Sequence, residues 1–421
     1  MLKYYVIFSF SILFHLNLNA DPRPDEGMWL PMLINQNFEG MRKLGFELSP
    51  KDIYSINQSS IKDAVVSFGG FCTGEIISSE GLILTNHHCG YDEIQALSSE
   101  KNNYLEKGFW AKDRASELSA EGLHVSFLLS IEDVTDSILK DVDENMNYDR
   151  RKEVIDSSIE VFKGIAFDSL KLKDSEKEFY RVEIKSFLHG NKYYQFKYQS
   201  FNDIRLVGTP PDAIGKFGGD TDNWMWPRHT ADFSLFRIYA DKEGNPCHYN
   251  EDNVPLKVKS HFPISLKGVE KNDFAMVMGF PGRTERYKTS YGIESDMTIS
   301  NPARIKLRKE RLSIMKEDMN SEVAIDIKYA SKYAQISNYY KYFIGQNKGL
   351  KRLNTLQKKR EHETLFNEWA SNEESQKYIK SEVLNKIKAS YDEINKYRKA
   401  QTYMLEGAFA PEIIEFAYKF M

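Results

Sequence analysis

The sequence lacks a strong excess of charge of either sign, and this narrows the class of partner. Lysine and arginine number 57 against 61 aspartates and glutamates, which gives a formal net charge of −4 over 421 residues. Proteins whose main partner is nucleic acid usually carry a marked basic excess. The composition therefore argues against nucleic acid as a partner, although it leaves room for a local basic face.

Cysteine is scarce as well, and long apolar runs are missing from most of the chain. The three cysteines are Cys72, Cys89 and Cys247, so one disulfide and one free thiol is the simplest arrangement in an oxidising compartment. We expect Cys247 to be a buried free thiol. Beyond the N-terminus, no segment is apolar over the roughly 20 residues that a membrane-spanning helix needs, so we expect no membrane contact from the mature chain.

The N-terminus has the pattern of an export signal. Lys3 supplies positive charge, residues 4–14 are largely apolar, and a short polar exit leads to Ala20, a residue that suits the position before a cleavage site. We therefore expect residues 1–20 to be a signal peptide and the mature protein to be exported. An uncleaved membrane anchor is the alternative.

Several segments have β-type patterns. Residues 27–60 predict an entry segment with a short helix near residues 36–44. Two β-type runs within residues 64–86, joined by a turn at Ser79-Glu80-Gly81, then predict a hairpin. Strand-like alternation returns at residues 192–208 and 233–239. Residues 274–282 predict a buried strand that ends in a sharp turn.

Two regions have helical patterns. Residues 94–187 are highly charged, with apolar side chains such as Val154, Ile155 and Ile159 at helix-like spacing. Asn301-Pro302 is a good helix start, and the Lys/Glu-rich stretch from there to residue 403 predicts about three or four long helices. The sequence ends at Phe420-Met421 within an apolar, helix-like stretch, so we expect it to be truncated.

One short motif concentrates candidates for a general base. Gly81-Leu-Ile-Leu-Thr-Asn-His-His-Cys-Gly leads a strand to two histidines and a cysteine. Pairing Cys72 with Cys89 would join this strand to its neighbour and would fix the backbone beside His88, as proton transfer requires. Strand alternation would send His87 and His88 to opposite faces, so only one of them can be the general base. We expect it to be His88, which directly precedes Cys89.

Two other interpretations of this motif are weaker. A structural histidine beside a structural disulfide is the simpler one. Metal binding by His87, His88 and Cys89 is disfavoured, because adjacent residues seldom ligate one ion well and no spaced ligand set accompanies them. We therefore expect neither a metal nor a cofactor.

A second motif supplies candidate acids. Residues 217–233 contain Asp220, Asp222 and Asp232 among glycines and tryptophans. A histidine base works better when a carboxylate holds its tautomer, and Asp232 directly precedes an apolar strand that can hold it rigidly. Asp220 and Asp222 lie in a glycine-rich loop and suit turn formation or ligand contact.

The same loop offers a candidate binding pair. Asn223 and Trp224 could present an amide and a flat aromatic ring to a charged amine. For Trp224 and Trp226, the alternative role is packing in the core.

A nucleophile motif is missing. No Gly-Asp-Ser-Gly or Gly-x-Ser-x-Gly segment occurs, although triad chemistry needs a nucleophile and an oxyanion hole. In a chymotrypsin-type chain the histidine and the aspartate come first and the serine comes last. The order of His88 and Asp232 fits such a chain, so we expect the nucleophilic serine to lie beyond residue 421.

These motifs resemble those of known peptidases. The Thr-Asn-His-His-Cys strand resembles the Thr-Ala-Ala-His-Cys strand of chymotrypsin-like peptidases. Two further stretches, Gly218-Gly-Asp-Thr-Asp-Asn-Trp-Met-Trp-Pro-Arg-His-Thr-Ala-Asp and Asp25-Glu-Gly-Met-Trp-Leu-Pro, are similar to the bacterial dipeptidyl-peptidase 7 and dipeptidyl-peptidase 11 family. The resemblance covers essentially all of the mature chain.

The resemblance implies a fold and a domain plan. The fold class would be mixed β and α, with a chymotrypsin-like (trypsin-like) double β-barrel catalytic domain, incomplete here, and an inserted α-helical cap domain. Residues 21–290 would form the N-terminal part of the catalytic domain, with a helical insertion near residues 94–187 and the start of the second barrel. Residues 291–421 would form the truncated cap.

The resemblance also implies residue roles. By motif position, His88 matches the base and Asp232 the orienting acid, while Asn223 and Trp224 match residues that hold the free amine of the substrate. The activity would be release of dipeptides from the N-termini of oligopeptides by a His/Asp/Ser triad. The serine, a second amine-binding acid and the residue that sets side-chain preference would lie in the C-terminal part of the family, which this sequence lacks.

Partners and location follow from the same resemblance. Peptides are the expected substrates, and a homodimer is possible because the family commonly dimerises. The expected location is the periplasm or the cell surface of a Gram-negative bacterium. Two alternative functions stay open: an endopeptidase of the same fold, and a catalytically inactive peptide-binding protein.

Overall fold

The computed structural model describes residues 29–143, 145–372, 374 and 382–420. The predicted signal peptide, residues 1–20, and the start of the motif at residues 25–31 lie outside the described residues. In the part of the chain that is described, no helix has both the length and the apolar composition that crossing a membrane would require. The described residues divide into two compact units: one contains residues up to 62 together with residues 265–277, and the other contains residues 63–264 together with those from 278 onward.

The smaller unit contains short helices and a small aromatic core. Its helices are a 3₁₀ turn (Pro31–Gln36), α1 (Phe38–Lys43) and α2 (Pro50–Ile53). Helix α1 lies where the sequence predicts one, near residues 36–44. Phe46 is buried, with ring centroids 6.2 Å from Phe38 and 4.9 Å from Phe274. Such aromatic pairs stabilise a small unit beyond the area that they bury.

The larger unit is built on one antiparallel sheet. Its described strands are β1 (Val65–Phe68), β2 (Cys72–Ile76), β3 (Leu82–Thr85), β4 (Phe109–Trp110), β5 (Leu118–Ser119), β6 (Val125–Asp133), β7 (Tyr180–Phe187), β8 (Lys192–Phe201), β9 (Asp203–Thr209), β10 (Ser234–Ala240) and β11 (Val254–Pro255). Their order is β4-β9-β10-β3-β2-β1-β6-β8-β7, with β5 paired to β9 and β11 to β10. Strands β3 and β10 are therefore neighbours, although six other strands lie between them in the sequence.

Aromatic and aliphatic side chains fill the core of the sheet. Phe68 in β1 and Phe236 in β10 are fully buried, with ring centroids 5.0 Å apart, and each such burial contributes roughly 2–3 kcal/mol. A Cβ atom at Gly90 would lie 2.8 Å from the Phe236 ring. Because Gly90 has no side chain, the backbone that follows Cys89 can lie directly against this core.

Helices complete the larger unit. Those described are α3 (Tyr91–Leu97), α4 (Tyr104–Lys107), α5 (Thr135–Leu139), α6 (Tyr148–Asp168), α7 (Asp212–Gly215), α8 (Gly219–Asp222), α9 (Ser290–Ser295), α10 (Asn301–Met319), α11 (Val323–Arg352), α12 (Thr355–Ala370), α13 (Val383–Tyr403) and α14 (Glu412–Tyr418). Helix α10 begins at Asn301 with Pro302 in its first turn, as the sequence predicts. Helices α10 to α13 confirm the prediction of long helices over residues 301–403. Helix α11 packs against both α10 and α3.

The prediction of mixed β and α structure is confirmed, but three predicted elements differ. The first β-type run is two strands, β1 and β2, because Gly69 and Gly70 both adopt positive φ angles, 61° and 80°, and reverse the chain. Residues 94–187, predicted as mostly helical, contain α3 to α6 but also β6 and β7. In β7 the charged residues alternate with apolar ones, which is the two-residue spacing of a strand, although the surrounding sequence is highly charged.

The third difference concerns residues 274–282. They were predicted to form a buried strand, but they form no strand in the structure, and Val277 is fully exposed. A strand needs a neighbour that completes its ladder of backbone hydrogen bonds. None of the described strands pairs with this segment, so its apolar composition alone does not make it a strand.

Candidate active site

The end of β3 and the start of β10 place the candidate base beside the candidate acid. These neighbouring antiparallel strands are in register, with Thr85 opposite Ser234. The chain continues from Thr85 to His88, and it enters β10 directly from Asp232. Because the end of one antiparallel strand faces the start of its neighbour, His88 and Asp232 meet across 144 sequence positions.

Two hydrogen bonds hold Asp232 against His88. Oδ2 of Asp232 lies 2.7 Å from Nδ1 of His88, and Oδ1 accepts from the backbone N–H of His88 at 3.0 Å. Burial alone would raise the pKa of Asp232, but hydrogen bonds from His88 and the attraction of its imidazolium lower that pKa below the ordinary value. The carboxylate is therefore ionised at neutral pH and keeps the imidazole proton on Nδ1.

The other ring nitrogen of His88 is open to solvent. The His88 side chain is 65% exposed, against 23% for Asp232. Among the residues that the structure describes, Nε2 of His88 has no hydrogen-bond partner. With the proton on Nδ1, Nε2 carries a free lone pair, which is what a general base needs to accept a proton from a nucleophile.

Asn86 also contacts Asp232, and sequence reasoning missed it. Its Nδ2 donates to the backbone oxygen of Asp232 at 3.2 Å and lies 3.4 Å from Oδ2. The backbone oxygen of Asn86 in turn accepts from the Ser234 hydroxyl at 2.9 Å. Asn86 directly precedes the turn that carries His88, and no local pattern in the sequence links its amide to Asp232.

Cys72 and Cys89 are joined by a disulfide bond, with Cα atoms 6.1 Å apart. The bond ties the residue after His88 to β2. The two sulfur atoms and a ring nitrogen of His88 lie within 4.8 Å of one another. Cysteine binds metals as a thiolate, so sulfur atoms held in a disulfide do not offer a metal site here.

His87 and His88 lie in a turn after β3, which ends at Thr85, and not on the strand that the sequence predicts for them. His87 is fully buried there, whereas His88 is exposed. Its Nδ1 lies 3.0 Å from Oγ1 of Thr209, and its Nε2 lies 2.9 Å from Oδ1 of Asp212. Both ring nitrogens are therefore occupied and shielded from solvent. The geometry favours His88 over His87 as the candidate base.

Asn223 and Trp224 lie together and share a partner, Asn338 in α11. Nδ2 of Asn223 donates to Oδ1 of Asn338 at 2.9 Å. Nε1 of Trp224 lies 2.9 Å from the same Oδ1 and 3.0 Å from the backbone oxygen of Asn338. Sequence reasoning missed Asn338, because a single polar residue within a long charged helix carries no local motif.

The backbone of Trp224 is strained. Its φ angle is 59°, a region that is costly for a bulky residue and that is often found at functional sites. The half-exposed ring packs against Tyr342 at a centroid distance of 5.1 Å. The exposed ring face suits contact with an ammonium group, and Oδ1 of Asn223, which accepts from Nη1 of Arg228 at 3.2 Å, keeps one acceptor position.

The remaining candidates lie apart from these two groups. Asp220 and Asp222 belong to α8, and neither contacts a histidine in the part of the chain described. Cys247 is half-buried with a free thiol, and burial, together with nearby carboxylates, raises its pKa to about 11. The structure therefore joins His88 to Asp232 and Asn223 to Trp224, with no direct hydrogen bond between the two groups among the described residues.

The fold matches solved peptidase structures. Two crystal structures of DPP11 from Porphyromonas endodontalis match this chain over 91% of its length. The complex with the dipeptide Arg-Asp gives a TM-score of 0.82 at 40% identity, and the complex with Arg-Glu gives 0.81 at 41% identity. In both cases the chain covers 54% of the solved chain. The larger sheet with its helices therefore has the fold of the matched part of DPP11.

Sequence comparison gives the same result. The chain is 43% identical to the Asp/Glu-specific dipeptidyl-peptidase of Porphyromonas gingivalis over 409 residues, and 42% identical to dipeptidyl-peptidase 7 of Capnocytophaga gingivalis over 401 residues. These matches cover 96% and 95% of this chain, and the Peptidase S46 family profile matches residues 24–421. The chain belongs to the Peptidase S46 family, so the resemblance seen in the motifs is confirmed. It spans about half the length of the curated relatives it matches, 55% of each of these two.

Proposed function

We propose that this chain is part of a serine-type dipeptidyl aminopeptidase, which releases dipeptides from the free N-terminus of oligopeptides. The observation that carries the proposal is the pair in which Nδ1 of His88 lies 2.7 Å from Oδ2 of Asp232 while Nε2 faces solvent. A serine hydroxyl placed at Nε2 would complete a catalytic triad. His88 would accept its proton, and Asp232 would stabilise the resulting imidazolium.

We place the nucleophile in the part of the relatives' length that this chain does not span. The chain covers 55% of the relatives named above, and it contains no Gly-Asp-Ser-Gly or Gly-x-Ser-x-Gly segment. The donors of an oxyanion hole would come from the same part, because they commonly include the backbone beside the nucleophile.

The Asn223, Trp224 and Asn338 cluster would bind the free amine of the substrate. The amide oxygen of Asn223, which also accepts from Nη1 of Arg228 at 3.2 Å, would accept a hydrogen bond from an ammonium group, and the exposed face of Trp224 attracts a cation. Oδ1 of Asn338 already accepts from both Asn223 and Trp224, so Asn338 would hold these two side chains in place. An amine held at a fixed distance from His88 would place the second peptide bond at the reacting centre. Such a fixed distance would explain release of dipeptides in place of single residues.

The domain plan extends this proposal. Residues 21–290 would form the N-terminal part of a chymotrypsin-like double barrel, and residues 291–421 part of a helical cap over the cleft. The apolar residues Ile264, Leu266 and Val277 are 64%, 96% and 102% exposed, and exposed strand-like apolar segments commonly belong to interfaces. Their exposure supports pairing with further strands of a second barrel.

The location and assembly are also proposals. A signal peptide at residues 1–20 would direct export to the periplasm or the cell surface, and the protein would be able to form a homodimer. The relatives include both a dipeptidyl-peptidase 7 and an Asp/Glu-specific dipeptidyl-peptidase at nearly equal identity. We therefore assign no side-chain preference at the cleavage site.

The product of the complete open reading frame provides the test. It should cleave chromophore-linked dipeptides with a free amine and should leave the N-acetylated forms intact. Asp232→Asn should lower kcat by about 10⁴-fold, because the amide reverses the favoured imidazole tautomer. Asp174→Asn, which removes an exposed carboxylate paired with Lys177, is the matched control and should leave kcat unchanged.

Three results would contradict the proposal. Efficient cleavage of casein at internal bonds would favour an endopeptidase of the same fold. Peptide binding without turnover would favour an inactive peptide-binding protein. Unchanged hydrolysis after His88→Ala would remove His88 from the mechanism.

A further inference from the structure

His87 is enclosed by polar partners on the side of the chain that faces away from solvent. Its side chain is fully buried, and its two nitrogens contact Thr209 at 3.0 Å and Asp212 at 2.9 Å. Since an ionised carboxylate can only accept hydrogen bonds, Nε2 of His87 carries a proton. The reaction proposed above does not use these contacts.

Tyr91 holds Asp212 from a second side. The Tyr91 hydroxyl donates to Oδ2 of Asp212 at 2.7 Å, and the Tyr91 and His87 rings meet edge to face with centroids 5.5 Å apart. Burial and then the charge of Asp212 raise the pKa of Tyr91 well above its ordinary value, so the phenol stays a donor. Nζ of Lys216 lies 4.5 Å from the centroid of the Tyr91 ring. Both oxygens of Asp212 are thereby fixed.

The short helix α7, which begins at Asp212, also holds the chain just before the candidate acid. The backbone oxygen of Ile214 accepts from the N–H of Ala231 at 3.1 Å. The backbone oxygen of Gly215 accepts from the hydroxyl of Thr230 at 2.9 Å. Ala231 directly precedes the candidate acid, just as His87 directly precedes the candidate base, so α7 connects the chain neighbours of both.

We propose that His87, Asp212 and Tyr91 form a positioning network that sets the distance and orientation of His88 relative to Asp232. The proposal rests on the proposed function, because it assigns these residues to the same reaction. They act through α7 and through the peptide bond between the two histidines, and they touch neither substrate nor reacting atoms. A misplacement of about 1 Å can cost about 100-fold in rate, so even a small shift of α7 would be measurable.

Asp212→Asn is the sharpest perturbation. It keeps the shape of the side chain but removes the negative charge. Nε2 of His87 and the hydroxyl of Tyr91 both donate hydrogen bonds to this carboxylate. In the product of the complete open reading frame we expect kcat for a chromophore-linked dipeptide to fall by about 10- to 100-fold. KM should change by less than about threefold, because the amine-binding cluster is untouched. Tyr91→Phe removes only the hydroxyl and should give a smaller loss of the same kind.

A matched control lies elsewhere on the sheet. Glu178, two residues before the start of the edge strand β7, pairs with His248 at 3.1 Å, and both side chains are exposed. Glu178→Gln therefore breaks a histidine–carboxylate pair of the same chemistry away from α7. It should leave kcat and KM unchanged.

A second readout needs no turnover. In the 421-residue chain labelled with ¹⁵N-histidine, the proton on Nδ1 of His88 should give a downfield NMR signal with slow exchange, because Asp232 holds it. Asp212→Asn should move this signal upfield and speed its exchange, and Glu178→Gln should leave it in place. If the complete wild-type product turns over no dipeptide substrate, the proposed function fails and the proton signal alone decides the positioning proposal.

The network is refuted by one clear pattern. If folded Asp212→Asn keeps both the wild-type proton signal and the wild-type kcat, His87 and Asp212 are structural only, whatever happens to thermal stability. If that variant does not fold, the same comparison with Tyr91→Phe decides the matter.

Discussion

Replacement of Gly215 by alanine is expected to destabilise the protein, because His87 occupies the space that a methyl group would need. A Cβ atom at this position would lie 2.7 Å from Cγ and from Nδ1 of His87, and 2.9 Å from Cδ2. Carbon contacts in cores lie near about 3.5–4.0 Å, so the ring would have to move by about 1 Å. Thr209 and Asp212 hold the ring from both ends, and such a movement breaks at least one of those buried hydrogen bonds.

The size of the effect follows from three contributions. Overpacking of a core costs about 1–3 kcal/mol, and leaving a buried hydrogen-bonding group unpaired costs about 1–3 kcal/mol more. Alanine restricts the unfolded chain more than glycine does, which offsets about 0.5–1 kcal/mol. We expect a net loss of about 2–4 kcal/mol, which corresponds to local opening at least about 30-fold more frequent.

Hydrogen exchange measured by mass spectrometry on peptides that cover residues 204–217 and 82–90 would detect this loss, and it requires no two-state unfolding of the whole chain. Gly164 in α6 provides the matched control, because no atom lies within 4 Å of a Cβ placed there. Gly164→Ala should stabilise its helix by about 0.5–1 kcal/mol. Equal protection of these peptides in Gly215→Ala and in the wild type would refute the packing argument.

Two further predictions concern the stability of the site. The pKa of Asp232 in the folded protein lies below its ordinary value of 3.8, so its contribution to stability is present above that value and is lost as the pH falls through the lower folded pKa. Urea midpoints measured on both sides of about pH 4 should therefore fall less on acidification in Asp232→Asn than in the wild type, and an equal fall would contradict the assignment. Replacing both Cys72 and Cys89 by alanine should lower the free energy of unfolding by about 3 kcal/mol, since the bond closes a loop between residues 17 positions apart; a denaturation midpoint that is insensitive to reductant in the wild type would show otherwise.

The close placement of His88 and Asp232 could be predicted because both lie at the ends of strongly patterned strands. The apolar run before His88 and the run after Asp232 each predict a strand, and the family resemblance supplies their pairing. Asn86 was not predicted from the sequence. Its amide matters only once β3 and β10 are known to be neighbours, and strand order is not a property of any local segment.

The features that the sequence did not predict correctly depend on partners far away in the sequence or on the spacing of charged residues along a segment. The high charge content around β7 predicts a helix, but its charges lie on the alternate residues Arg181, Glu183 and Lys185, which is the spacing of a strand. Asn338 lies 114 positions after Trp224, and nothing near it in the sequence marks it. Residues 274–282 have the composition of a strand, but pairing depends on a neighbour that local composition does not reveal.

The edge position of β7 has a practical consequence for protein engineering. In the sheet order, β7 lies five strands away from β3, which leads to His88. The first part of the connection between α6 and β7, residues 169–176, is mostly exposed, and exposed connections tolerate inserted domains well. A fluorescent reporter or an affinity handle spliced into this connection would leave the imidazole and its carboxylate where they are, so the molecule could be tracked or captured through its far edge.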